Sequence, residues 1–88
     1  NKLELIERYS FANLNSLKVL NLKGNLISAI KFQSFKNLTN LTELNLNDNC
    51  IFQLGESLFD NLASLNTIDL GLNFIQHFSN HIFFKLFN

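Results

Sequence analysis

Apolar residues recur along this chain with a fixed period. Starting at Leu17, the positions Leu17, Leu20, Leu22, Ile27, Ile30, Phe35 and Leu38 are apolar, with Asn25 set among them. Adding 24 to each number returns Leu41, Leu44, Leu46, Asn49, Ile51, Leu54, Phe59 and Leu62. Adding 24 again returns Leu65, Ile68, Leu70, Asn73, Ile75, Phe78, Phe83 and Leu86, and subtracting it recovers Asn1, Leu3, Ile6, Phe11 and Leu14. The chain therefore divides into a partial repeat at 1–16 and full repeats at 17–40, 41–64 and 65–88. At 47% hydrophobic content, independent draws fill such a register with a probability on the order of 10⁻⁸. A period of this length is the mark of a solenoid, and no single unit of it can bury its own apolar stripe.

Within a repeat, Leu20 and Leu22 alternate with Val19 and Asn21, which predicts a short strand with one face buried. Strands from successive repeats then pair in parallel, about 4.8 Å apart, into one sheet. Asn25, Asn49 and Asn73 fall where the chain must leave that sheet. An asparagine amide both donates and accepts, so these three are predicted to form a ladder satisfying backbone groups of the turns. That ladder accounts for a chain with no proline, three glycines and 15 asparagines that must nonetheless reverse repeatedly. Phe11, Phe35, Phe59 and Phe83 recur on the far side of each coil as a spine. The return segments have weak helical periodicity and are expected to be loops or single turns.

The pattern Leu-x-x-Leu-x-Leu-x-x-Asn-x-Ile resembles the leucine-rich repeat signature over the whole chain. A 24-residue unit with phenylalanine at its nineteenth position is similar to the animal extracellular type, as in Toll-like receptor ectodomains. The run Asn37-Leu38-Thr39-Asn40-Leu41-Thr42 resembles phrasing frequent in those ectodomains. The resemblance implies an α/β class fold, a right-handed solenoid with a parallel concave sheet and a mostly irregular convex side. It also implies a recognition module of an innate immune receptor at the cell surface or in the endosomal lumen, with a possible receptor dimer formed through lateral faces. A matrix or adhesion protein and an intracellular scaffold are the competing readings.

Composition narrows the chemistry. Lys plus Arg and Asp plus Glu both number 7, so the formal net charge is zero and phosphate-backbone binding is disfavoured. One cysteine allows no internal disulfide, and with two histidines the inventory makes no zinc site. No nucleophile elbow, phosphate loop or patterned carboxylate pair is present, so neither an enzyme nor a cofactor is expected. No apolar run reaches the roughly 20 residues of a bilayer span, so any membrane attachment would come from sequence outside these residues. The opening Asn1 is read as the mark of a processed or excerpted piece.

Outward positions on the predicted strands form a grid, which is the candidate ligand surface. Its columns are Lys18, Thr42 and Asn66; Val19, Glu43 and Thr67; Asn21, Asn45 and Asp69; Lys23, Asn47 and Gly71; and Gly24, Asp48 and Leu72. Polar, mixed in sign and short of bulky anchors, the grid suits a protein, microbial or glycan ligand held by many modest contacts. Leu26, Cys50 and Phe74, with Leu72 beside them, form a second candidate, an apolar contact patch on a lateral edge. Cys50 itself is expected to act as a small, partly buried hydrophobe. Asn37 and Asn40 both match the Asn-x-Thr acceptor pattern for N-glycosylation. His77 and His81 lack further metal ligands, and Phe84 and Phe87 replace the solvated Asp60 and Ala63 of the previous repeat.

Overall fold

A computed structural model describes residues 3–7, 10–11, 13–31, 33–55, 58–60 and 62–76. The expectations placed on Asn1, His77, Phe78, His81, Phe83, Phe84, Leu86 and Phe87 lie outside them. Among the described residues five short strands follow one another: β1 (Leu5–Ile6), β2 (Val19–Asn21), β3 (Ala29–Ile30), β4 (Glu43–Asn45) and β5 (Thr67–Asp69). β2, β4 and β5 form one parallel sheet in that order. The partners Val19↔Glu43↔Thr67, Leu20↔Leu44↔Ile68 and Asn21↔Asn45↔Asp69 lie 24 residues apart, the period of the apolar pattern. Hydrogen bonds continue this ladder past the strand ends, from Leu22 N to Asn45 O (2.8 Å), Gly24 N to Asn47 O (3.0 Å) and Asp48 N to Gly71 O (3.0 Å). Backbone hydrogen bonds thereby run from each strand of this sheet to the next.

The buried core follows the repeat. Ile27, Leu38, Leu41, Leu46 and Ile51 are wholly inaccessible, and Ile6, Phe35, Leu44 and Phe59 nearly so. Burial falls off in the outer coils: Leu20, Leu22, Ile68 and Leu70 pack against the core but are only half-buried. Leu3 and Leu14, both on the pattern, are exposed. Among the described strands of the main sheet, β4 of the middle coil has a neighbour on each side, and a nearest-neighbour solenoid buries most deeply there. Phe11, Phe35 and Phe59 stack down the far side, with ring centroids 6.0 and 6.1 Å apart and planes within 10° and 17°.

Two features depart from the pattern. The return side is not wholly irregular, because β1 and β3 pair in parallel there as a second, two-stranded sheet, with Leu5 opposite Ala29 and Ile6 opposite Ile30. Two residues per strand leave too short a run for alternation to register in sequence. No described residue is helical, so parallel strands and turns carry the fold. The second departure is Ser34, wholly buried although polar. Its hydroxyl lies within hydrogen-bonding distance of the carbonyls of Ile6 (3.1 Å), in the preceding coil, and of Lys31. One coil later the same position is Leu58, also buried. Packing there accepts an apolar side chain or a hydrogen-bonded hydroxyl, since either leaves no unsatisfied group.

Candidate functional site

Burial along the three main strands alternates as the pleat dictates. Leu20, Leu44 and Ile68 point inward, while Val19, Glu43 and Thr67 before them are exposed. Asn21, Asn45 and Asp69 come next on the outer face, with Asn45 half-buried in the middle coil. Together these outward residues line a shallow depression of about 280 Å³ over the sheet. Lys18, Thr42 and Asn66 immediately precede the lining residues Val19, Glu43 and Thr67 where the chain enters the strands. There the Thr42 hydroxyl donates to Lys18 O (3.1 Å) and the Thr67 hydroxyl to Asn66 Oδ1 (3.0 Å). The Glu43 carboxylate stands in the centre, exposed, with no side-chain hydrogen bond or ion pair to a described residue.

One column has a structural duty as well. Asn21 Oδ1 accepts from Lys23 N (3.0 Å), Asn45 Oδ1 from Asn47 N (2.9 Å) and Asp69 Oδ1 from Gly71 N (2.9 Å). These Asx turns start the exit from the sheet. A ligand at this column meets the remaining amide and carboxylate atoms, because one oxygen in each coil is already engaged. Asp69 Oδ1 also accepts from Asn47 Nδ2 (3.1 Å), which ties two coils together. The Gly71 N–H, the Asn47 amide and the nearby Lys23 charge together hold the Asp69 carboxyl below its ordinary value of 3.8. Gly71 itself sits beneath this pair. A Cβ on it would lie 2.9 Å from Asn47 Nδ2 and 3.2 Å from Asp69 Oδ1, so the bare backbone makes room for the bond.

The last column of the grid is a turn. Gly24, Asp48 and Leu72 all adopt left-handed backbone, with φ of 74°, 60° and 54°. Glycine adopts this conformation freely and aspartate at modest cost, but leucine is strained there. Asp48 thus occupies the turn that follows β4 and is not among the residues lining the depression.

Behind that turn the asparagines engage the backbone of two coils at once. Asn49 Oδ1 accepts from Ile27 N (3.1 Å), and its Nδ2 lies within hydrogen-bonding distance of Leu22 O (3.0 Å), Leu46 O (3.0 Å) and Asn47 O (3.2 Å). Asn73 repeats the arrangement with Ile51 N (3.0 Å), Leu46 O (2.9 Å), Leu70 O (3.1 Å) and Gly71 O (3.1 Å). Asn25 accepts from Leu3 N (3.2 Å) and donates to Leu22 O (2.9 Å). Asn49, in the middle coil, is buried.

On the flank just past these asparagines, Leu26, Leu72 and Phe74 are 50%, 74% and 65% exposed, while Cys50 is half-buried and free. Phe52, two residues past Cys50 in the chain, is also exposed, at 52%. Sequence reasoning missed Phe52 because its equivalents Ser28 and Gln76 are polar, so no apolar column announces it. Among the described residues no group of His, Cys, Asp and Glu is arranged to hold a metal ion, and no helix is long and apolar enough to cross a membrane.

Comparison with known proteins agrees with this geometry. A family model described as leucine rich repeat matches residues 1–51 and again 39–88, which between them span the whole sequence. The chain belongs to the leucine-rich repeat family. No curated protein sequence matches it. Among solved structures, the leucine-rich repeats superpose on a chain from the crystal structure of a TLR13–ssRNA13 complex with a TM-score of 0.91 and 38% identity. The match covers 98% of this chain and 12% of that one. These repeats are therefore similar to part of a Toll-like receptor solenoid.

Proposed function

We propose that the outward face of β2, β4 and β5 is a ligand-recognition surface of an innate immune receptor of the Toll-like type, displayed at the cell surface or in the endosomal lumen. The observation that carries this reading is the depression lined by Val19, Asn21, Glu43, Asn45, Thr67 and Asp69. Backbone ladders and buried amides hold the fold, so these side chains face solvent with little structural work beyond the Asx turns. Lys18 and Lys23 oppose Glu43, Asp48 and Asp69 on and around this face, two positive charges against three negative. That balance suits a protein or glycan ligand. The Leu26–Cys50–Phe74 flank, extended by Leu72, is proposed as a protein contact.

Single-stranded RNA is the second reading, favoured by what the TLR13 structure contains. The charge on this face argues against these particular residues as its phosphate contacts. The experiment is a reporter assay in cells expressing the full-length gene product, challenged with fractionated microbial extract and separately with synthetic single-stranded RNA. Glu43→Arg together with Thr67→Arg is expected to abolish the response to extract, while Asp60→Arg on the return side leaves it intact. Equal responses from all three proteins would refute the surface. A response to RNA strengthened by the added arginines would favour the second reading.

A further inference from the structure

Two glycan acceptor motifs lie three residues apart, at Asn37-Leu38-Thr39 and Asn40-Leu41-Thr42. Sequence treats them alike, but the fold does not. Asn40 Nδ2 donates to Asn15 O of the preceding coil at 2.8 Å, and the Thr42 hydroxyl donates to Lys18 O at 3.1 Å. Both polar side chains of that motif are thus used to pin one coil to the next, and Leu41 between them is wholly buried. Asn37 is exposed, in left-handed backbone at φ 79°, with Thr39 exposed two residues on. Neither of these side chains is hydrogen-bonded to a described residue. Asparagine tolerates that φ better than other residues with a Cβ, so Asn37 suits its turn whether or not its amide carries a substituent.

We infer that Asn37 is the N-glycosylation site of this segment and that Asn40 is an inter-coil clamp left unmodified. The inference rests on the lumenal or extracellular placement proposed above. In the transfer, Asn37 Nδ2 bonds to the anomeric carbon of a lipid-pyrophosphate-linked oligosaccharide. The bond from that carbon to the pyrophosphate oxygen breaks, the lipid pyrophosphate leaves with its electron pair, and the amide gives up one proton. Transfer precedes folding, so structure acts by deciding which product folds well. A sugar on Asn37 leaves every described hydrogen bond in place. A sugar on Asn40 crowds the Asn15 carbonyl and competes with the bond that seats the coil. Asn37 precedes β4, whereas Leu26 and Phe74 follow the exits from β2 and β5. The glycan therefore covers the flank by which the chain enters the sheet and leaves the apolar flank open.

The test is to express the full-length reading frame in animal cells, release glycans enzymatically in oxygen-18 water and map labelled aspartate by peptide mass spectrometry. Label is expected at position 37 and not at 40. Thr39→Val, which spares both asparagines, is expected to lose one glycan with an unchanged melting midpoint. Asn40→Gln is expected to keep the glycan and lower the midpoint. Label at 40, with or without 37, overturns the assignment. So does a protein recovered from the lumen or medium with no label at either position, and that result leaves the recognition reading standing. A protein that never enters the secretory pathway overturns the reading and this inference together.

Discussion

At the scale of single residues, two asparagines two positions apart in the middle coil have opposite fates. Asn49 is buried and satisfies the Ile27 N–H and carbonyls of both its own and the preceding coil. Asn47 contributes from its side chain one exposed bond, to Asp69. Truncating Asn49 to Ala strands backbone groups out of reach of water, at about 1–3 kcal/mol each. Truncating Asn47 removes a bond that solvent replaces. In urea titrations Asn49→Ala is therefore expected to cost at least about 2 kcal/mol more than Asn47→Ala, and equal costs would remove Asn49 from the ladder. Asp69 supplies a prediction in pH. Its carboxyl is held below 3.8 in the fold by the Gly71 N–H, then Asn47, with Lys23 adding to them. Its stabilising contribution is thus complete above that value and disappears as pH falls through the lowered one. An NMR titration should place the Asp69 midpoint below 3.8. Asn47→Ala should move it upward, and an unmoved midpoint would mean the inter-coil bond does not form in solution.

At the scale of elements, the exit turn is where one coil breaks the local rules. Leu72 occupies the left-handed position held by Gly24 and Asp48 in the two preceding coils, and among the described residues it is the most exposed large apolar one. Left-handed backbone costs an ordinary L-residue about 1–2 kcal/mol, less for asparagine. Leu72→Asn is expected to stabilise the fold by about 0.5–1 kcal/mol in thermal melts. A loss would mean that the leucine side chain makes contacts worth more than its strain. The strands themselves behave conventionally. Leu44, buried between two coils, is expected to cost roughly 2–5 kcal/mol on truncation to Ala. Leu20, half-buried in β2, should cost less, and a reversed order in urea would contradict nearest-neighbour stacking. Strands and asparagines were legible in sequence because a 24-residue period samples each position several times. What escaped was whatever one coil does alone or briefly: the two-residue β1–β3 pairing, the bonded Ser34 in place of a hydrophobe, and Phe52 standing where its equivalents are polar. Val19, Glu43 and Thr67 are exposed as the alternation requires, but the Asx turns of Asn21, Asn45 and Asp69 were not legible, since a side-chain oxygen on a strand gives no sign of which neighbour it will meet.

At the scale of the molecule, the phenylalanine stack has a geometric consequence. Paired strands advance about 4.8 Å per coil, whereas the rings on the opposite side advance 6.0 and 6.1 Å. Between the coils that carry Phe11, Phe35 and Phe59 the spacing is thus roughly 1.2 Å wider at the back than at the front, like voussoirs in an arch. Stacked wedges curve toward their thin side, so the sheet forms the inner arc and the depression over Glu43 is a sample of that arc. Curvature in such an arch adds up coil by coil. A ring replaced by a smaller side chain at Phe35 would alter a local angle only slightly. Across a long array that angle acts on a lever arm, so surfaces many coils away swing apart while every contact near the substitution stays in place. The phenylalanines touch no ligand in this scheme, yet they set how far apart two distant binding surfaces stand.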